Sequence, residues 1–280
     1  MPARLAVTLD RLVADFQALG LHRGSRLALH SSLSSIGFVL GGPETVIRAL
    51  MDVVGEEGTI LMPVFSRPAP KFLMRETPSR TGLVSETIRR MPGVLRSSHP
   101  THSVAVWGAG AEEIARGHEQ ATGLGADSPF HRLARMGGLV VLLGCDSRSS
   151  SIVHVAEAIA QVPYLEVFYP GYDIPMTVVY PDGRERLVEP RENPGDSSAF
   201  LVVEEEMRRR GLIREGLVGQ ARTMVMKGMD VIETALALLR KDPVSLLCQR
   251  ADCRVCPRSR ELVRPLASGR QSSGSTGSPT

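Results

Sequence analysis

Lysine is nearly missing: of 33 basic side chains only Lys71, Lys227 and Lys241 are lysines, and 30 acids leave a formal net charge of +3. Aromatic residues are scarce as well, at 4% with a single tryptophan. No dense basic run with interleaved aromatics occurs, which argues against a nucleic-acid binder. The chain also lacks any apolar run approaching the ~18–20 residues of a membrane span, and acids come too early in MPARLAVTLDRL for a signal peptide, so a cytoplasmic protein is expected. Four cysteines, three of them crowded near the end, do not make the evenly spaced framework of a small secreted fold. What is there is 42% hydrophobic and 22% charged residues of mixed sign, the composition of a soluble globular protein. At 280 residues, one large domain with a tail fits best. The arginine bias also suits a phosphate-bearing ligand.

Leu9, Leu12, Val13, Phe16 and Leu19 recur at helical spacing between Thr8 and Gly20, so an amphipathic helix is predicted to open the chain. Arg26 to His30 then alternates like a strand. Gly41-Gly42-Pro43 starts a helical stretch to Val54, with Pro43 in a first-turn position, and Gly58 to Val64 reads as a buried strand. Ser103 to Trp107 and Leu139 to Gly144 read as further strands, with helical stretches at Ala111–Arg116 and Pro129–Met136 between them. Between Leu165 and Glu189 shorter alternating runs surround Pro181-Asp182-Gly183, a hairpin signal, and helices follow near Ser198–Arg209 and Asp230–Leu239. The expected fold is α/β, with a mixed central sheet covered by helices on both faces. After about Leu266 the segment SGRQSSGSTGSPT has too few apolar groups to pack.

Ligands collect at the carboxyl ends of strands in open α/β sheets, which directs attention to the polar residues just after each one. Ser31-Ser32 follow the first strand, and Gly41-Gly42 lead into a helix N-terminus whose free N–H groups can face an anion. Gly144 to Ser151 lead from the long apolar strand into Ile152-Val153-His154-Val155-Ala156-Glu157. His154 and Glu157, three apart, share one helical face, where a carboxylate can orient and polarise an imidazole into a general base. The same spacing equally describes a solvent-exposed ion pair. His30, His99 and His102 read as strand-boundary residues, and His22, His118 and His131 as surface ones. No H-x3-H or HExxH spacing exists, so no metal is expected in the chemistry. Gln120 to Gly125 match the Q-x-x-G-x-G pattern of a large acetyltransferase superfamily, but follow a predicted helix where that motif needs a strand.

The blocks HSSLSSIGFVLGGPETVIRAL, GTILMPVFS, HPTHSVAVWG, LGADSPF, GGLVVLLG and SSIVHVAE stand in this order between about Leu5 and Leu239. Together they resemble the aminoglycoside 3-N-acetyltransferase family, whose fold is not that of the Q-x-x-G-x-G superfamily. The resemblance implies an enzyme that binds acetyl-CoA and transfers its acetyl group to the 3-amino group of a 2-deoxystreptamine aminoglycoside, a route to antibiotic resistance. It maps the proposed base onto His154, the acid beside it onto Glu157, and a hydroxyl that polarises the thioester onto Ser151. Coenzyme contacts map onto Ser31, Ser32, Gly41 and Gly42, with Ser103 and Val104 from the HPxxS block. Asp196 and Glu192 are the acids expected to meet the cationic acceptor. Two alternatives stay open: a biosynthetic N-acyltransferase for another amine, and a non-catalytic CoA-binding protein. The stretch from Ser66 to Thr77 is short and basic where the family often has an acidic or aromatic insertion. A monomer or homodimer is expected, with partners limited to small molecules.

The expected organisation is an acetyltransferase domain over 1–245, a cysteine-containing segment over 246–264 and a disordered tail over 265–280. Cys248, Cys253 and Cys256 form a C-x4-C-x2-C cluster outside the resemblance. Three sulfurs with no histidine after His154 lack the fourth ligand of a closed zinc site, unless Cys145 or a partner chain supplies it. Reduced thiols on a terminal helix are the simpler expectation.

Overall fold

The apolar alternation of Leu27, Ala28 and Leu29 places β1 (Arg26–Ser31) at the heart of a seven-stranded sheet in the computed structural model, which describes residues 6–189, 191 and 194–268. In chain order the other strands are β2 (Thr59–Pro63), β3 (Lys71–Leu73), β4 (Leu95–Arg96), β5 (Val104–Gly108), β6 (Leu139–Leu143), β7 (Met176–Val179), β8 (Glu185–Val188), β9 (Arg214–Val218) and β10 (Ala221–Lys227). The large sheet runs β4-β5-β2-β1-β6-β10-β9. β2, β1 and β6 are parallel, and each outer neighbour joins antiparallel, so the sheet is mixed as expected. The Pro181-Asp182-Gly183 signal closes a hairpin of β7 and β8, to which β3 adds in parallel as a separate three-stranded sheet. β3 occupies the short basic loop. The β9–β10 pair was not expected from the sequence: Arg214 and Glu215 face outward on β9, which hides the strand's alternation.

Both sheet faces are covered, and register sorts the side chains between them. Ala28 lies beside Leu61 and Val140, and these pack with Leu142 and Met226 under the helices Pro129–Arg135, Val153–Ile159, Leu201–Arg209 and Gly228–Lys241. Leu27 and Leu29, one residue out of phase, pack with Ile60, Val141 and Leu143 under Leu9–Ala18, Gly42–Val54 and Leu83–Ile88. Burying a Leu or Ile on either face contributes roughly 1.5–3 kcal/mol. The Arg96 guanidinium ties the small sheet to the large one. It donates to Val64 O, Met74 O, Thr77 O and Ser103 Oγ and lies 4.6 Å over the Phe72 ring. Burial pulls its pKa down to about 9, so it stays cationic at neutral pH.

A last helix, Cys256–Ser268, extends past 264, where the cysteine segment was expected to give way to tail; most of the expected tail, 269–280, lies outside the described residues. Among the described residues no helix is long and apolar enough to cross a membrane.

Where β5 ends, Gly108 takes φ +93° and its backbone lies so close to β2 that a Cβ would sit 2.1 Å from Gly58 O. Neither the dihedral nor the space admits another residue. Gly108→Ala is therefore expected to cost at least about 1–3 kcal/mol, read as a lower denaturation midpoint at unchanged m-value. An unchanged midpoint would show that this edge relaxes freely.

Candidate active site

After β6 the chain turns at Gly144 into a short 3-10 turn, Ser147–Ser149, which Asp146 caps by accepting the Arg148 N–H, and enters the helix Val153–Ile159. Val153, Val155 and Ala156 are wholly buried, so the first turns of this helix are enclosed by protein and Glu157 has nowhere to reach solvent. Glu157 is 0% exposed. Its Oε2 accepts the His154 Nδ1–H at 2.6 Å and its Oε1 accepts the Tyr164 hydroxyl at 2.9 Å. Both carboxyl oxygens are thus satisfied, as a buried acid requires. Burial and the neighbouring Glu157 push the Tyr164 phenol's pKa up, keeping it a donor. The exposed-ion-pair alternative is excluded by this geometry. Tyr164 went unnoticed in the sequence, where its only signal is a hydroxyl seven residues beyond Glu157 in the turn Pro163–Glu166.

With Nδ1 committed to Glu157, Nε2 is the ring nitrogen left for a bound molecule. His154 lines a cavity of about 250 Å³ together with Ser151, His102, Phe65, Tyr169, Tyr172 and Arg148. The Phe200 ring meets the imidazole edge at 4.7 Å between centroids and fixes its plane. Ser150, beside Ser151 on the same wall, has a buried hydroxyl with no partner among the described residues. Arg148 is the single arginine or lysine among the described residues of this wall, and none of them is an acid. A larger depression of about 790 Å³, walled by Arg96, Arg184, Arg186, Glu112 and Glu185, lies apart from this chemistry.

The other expected residues divide. Ser31 and Ser32 end β1 beside Leu143 at the same sheet end that leads into the His154 helix, and Ser32 N–H donates to Leu143 O. The Ser35 hydroxyl lies 2.9 Å from Ser32 Oγ and 3.1 Å from Gly144 O, bracing the two strand ends. Gly41 and Gly42 have positive φ at the start of Gly42–Val54, no side chain caps that helix, and the space about Gly42 is open. Phe38 and Leu40, just before it, are large exposed apolar residues. Ser103 and Val104, by contrast, have no exposed surface: the Ser103 hydroxyl donates to Val64 O and receives Arg96, and Val104 packs in the core. Both side chains are thus engaged within the protein. Asp196 sits between Gly195 and Ser197 of the cavity wall, but its carboxyl accepts the Ser198 N–H and lies among the thiols of Cys248, Cys253 and Cys256. Glu192 lies outside the described residues. Cys145 is a half-buried thiol whose pKa burial raises to about 11, which fits an inert neutral side chain.

Three histidines converge at the cavity, with His102 on its wall. His99 lies 5.5 Å from His102 and 5.0 Å from His118 between ring centroids. His118, expected at the surface, is wholly buried: Nε2–H donates to Gly123 O, leaving Nδ1 to accept the Ser97 hydroxyl. Its pKa falls from 6.5 to about 4, with burial the largest cause, and burial lowers His102 to about 3 and His30 to about 4.

The family model for aminoglycoside 3-N-acetyltransferase matches residues 28–240. Aminoglycoside N(3)-acetyltransferase VII of Streptomyces paromomycinus is 33% identical over 271 residues, a match spanning 84% of this chain and 92% of that protein. Aminoglycoside N(3)-acetyltransferase IV of a Salmonella species is 32% identical over 240 residues, spanning 84% of this chain and 88% of that protein. Among solved structures, the aminoglycoside acetyltransferase AAC(3)-IVa, crystallised as a histidine-to-alanine mutant in complex with a gentamicin, matches with a TM-score of 0.81 at 29% identity, covering 93% of this chain and 99% of that one. AAC-IIIb, solved as a binary complex with CoASH, matches at 0.76 and 28% identity, covering 84% and 97%. Fold and relatives together define an α/β acyltransferase. The chain belongs to the aminoglycoside 3-N-acetyltransferase family.

The buried histidines make stability depend on pH. Their folded pKa values lie below the unfolded value of 6.5, so the unfolded chain takes up protons first as the pH falls. Their contribution is complete above about pH 6.5 and drains away towards pH 4. Denaturant midpoints across this window are expected to fall with acid, and His118→Gln is expected to flatten part of the slope. A wild-type profile level from neutrality to pH 4 would contradict the neutral cluster.

Proposed function

We propose that this chain transfers the acetyl group of acetyl-CoA to the 3-amino group of a 2-deoxystreptamine aminoglycoside by direct attack, with His154 as general base. The observation that carries this reading is the 2.6 Å His154–Glu157 bond beneath a cavity lined by His154 and Ser151. An amine at neutral pH is mostly ammonium and cannot attack a thioester until a base takes its proton. His154 Nε2 takes that proton. Glu157 holds the Nδ1–H tautomer, steadies the imidazolium that forms, and is itself held by Tyr164. The Ser151 hydroxyl donates to the carbonyl oxygen as charge develops there. As the C–N bond forms the C–S bond breaks; of the two protons the nitrogen gives up, one passes through His154 to the departing thiolate and the other leaves to solvent. Neither an acyl-enzyme nor a metal takes part.

Acetyl-CoA, when bound, supplies the activated thioester. The uncapped helix start at Gly41-Gly42 offers backbone N–H groups to its pyrophosphate, and Ser31 and Ser32 add polar contacts where β1 meets β6. Exposed Phe38 and Leu40 give apolar cover beside that cradle.

A second reading, an N-acyltransferase for a different amine, is favoured by one observation: the described cavity wall carries Arg148 and no acid. A polycation gains little there, since recognition of several ammonium groups calls for converging carboxylates. Coupled CoA-release assays over an aminoglycoside set and a set of unrelated amines separate the readings. Transfer to 2-deoxystreptamine compounds supports the first, and efficient acetylation of another class alone supports the second.

For either acceptor, His154→Ala is expected to lower kcat by about 10²–10⁴-fold while leaving CoA affinity, measured by calorimetry, within a few-fold of wild type. Tyr164→Phe, which removes one donor to Glu157, is expected to cost about 1 kcal/mol of stability and a smaller loss of rate. Near-full activity of folded His154→Ala would remove the base from the mechanism.

A further inference from the structure

We infer that Asp196, Cys248, Cys253 and Cys256 form a structural zinc site that clips the cavity loop to the C-terminal segment. One donor atom from each of these four residues lies within 4.8 Å of the other three. A zinc ion with bonds of about 2.3 Å to sulfur needs tetrahedron edges of about 3.8 Å, a closing-in of no more than about 1 Å. The fourth ligand, expected from Cys145 or another chain, comes instead from Asp196, some fifty residues upstream, which is why sequence spacing does not show it.

Backbone geometry supports the assignment independently. In the Cys253-Arg254-Val255-Cys256 turn, the Cys256 N–H donates to Cys253 Sγ at 3.5 Å. An amide aimed at a cysteine sulfur favours the thiolate that a metal ligand must be. Asp196 is oriented in turn by the Ser198 N–H at 2.9 Å, the kind of outer contact that positions a metal ligand. All four cysteines are free, and an odd trio beside a carboxyl is not explained by a disulfide. Three thiolates and one carboxylate suit zinc: the sulfurs disfavour magnesium and calcium, and the oxygen donor disfavours copper(I). Two ligands are buried and two half-buried, so the site is closed by protein yet open to loading from solvent.

Its position gives it a task. Asp196 belongs to the Gly195–Ser197 stretch of the cavity wall, while Cys256 begins the helix Cys256–Ser268, which packs on the turn holding Tyr164. The ion therefore braces the cavity loop and the Tyr164 turn from behind, without touching His154.

Untagged protein purified under reducing conditions from zinc-supplemented cells is expected to carry about one zinc per chain by elemental analysis. Cobalt(II) exchanged into the wild-type protein should show thiolate-to-cobalt charge-transfer bands and the visible bands of a tetrahedral ion. Cys253→Ser/Cys256→Ser should lose both signals. Asp196→Asn should hold cobalt at least about tenfold more weakly in chelator competition, since losing even an outer partner costs about 10–100-fold. Metal-free protein with three freely titrating thiols, a disulfide in the intact mass, or zinc retained by the double serine variant would each overturn the site. The cobalt spectrum reads the wild-type chain, so a variant that fails to fold does not decide the matter.

Discussion

A single buried carboxyl governs the active site. Glu157 has no exposed surface, and burying such a group is costly unless both its oxygens find donors. His154 Nδ1 and the Tyr164 hydroxyl are those donors, and meeting the acid's need settles the imidazole's tautomer and direction in the same stroke. The pair cannot swing out to solvent because Val153, Val155 and Ala156 bury the rest of the helix against Gly228–Lys241 and the sheet. Packing converts an i, i+3 pair that elsewhere would be a surface contact of a few tenths of a kcal/mol into a fixed array.

The sheet delivers the remaining parts to the same end. β1 and β6 are parallel neighbours, so Ser31-Ser32 and Gly144 emerge side by side, one leading to the glycine-opened helix and the other to His154. The proposed anion cradle and base thus lie at two adjacent strand ends, the usual place for ligands in such sheets. Behind them, the Tyr164 turn rests on the C-terminal helix whose first residue is Cys256. Residues beyond the catalytic helix thus support it through contact rather than chemistry.

Much of this was legible in the chain. Continuous apolar runs marked β2 and β6, the Gly-Gly-Pro start marked the helix to Val54, and three-residue spacing joined His154 to Glu157. Periodicity is a local property, so it fails where partners arrive from afar. His118 sits among Gly117, Glu119 and Gln120, neighbours that suggest a surface, yet Ser97 and Gly123 bury it. Ser103 and Val104 follow a motif with ligand-like chemistry and are buried at the start of β5, where Arg96 donates to the Ser103 hydroxyl. Asp196 looks like an acid for a cationic acceptor and instead faces three cysteines that lie beyond the family match. Tyr164 carries no motif, because its role is defined only once the helix turns back at Gln161, a residue in the left-handed region.

Nitrogen NMR reads directly whether Glu157 holds His154 as the Nδ1–H tautomer with a bare Nε2 for the amine. Protein labelled with ¹⁵N-histidine, with His154 assigned by difference against His154→Ala, reports each ring nitrogen through its shift and its coupling to ring protons. At the pH of full turnover the account predicts a protonated Nδ1, its proton far downfield in the bond to Glu157, and an unprotonated Nε2. A proton on Nε2 with Nδ1 bare would contradict it, because the ring would then offer the acceptor amine a donor instead of a base.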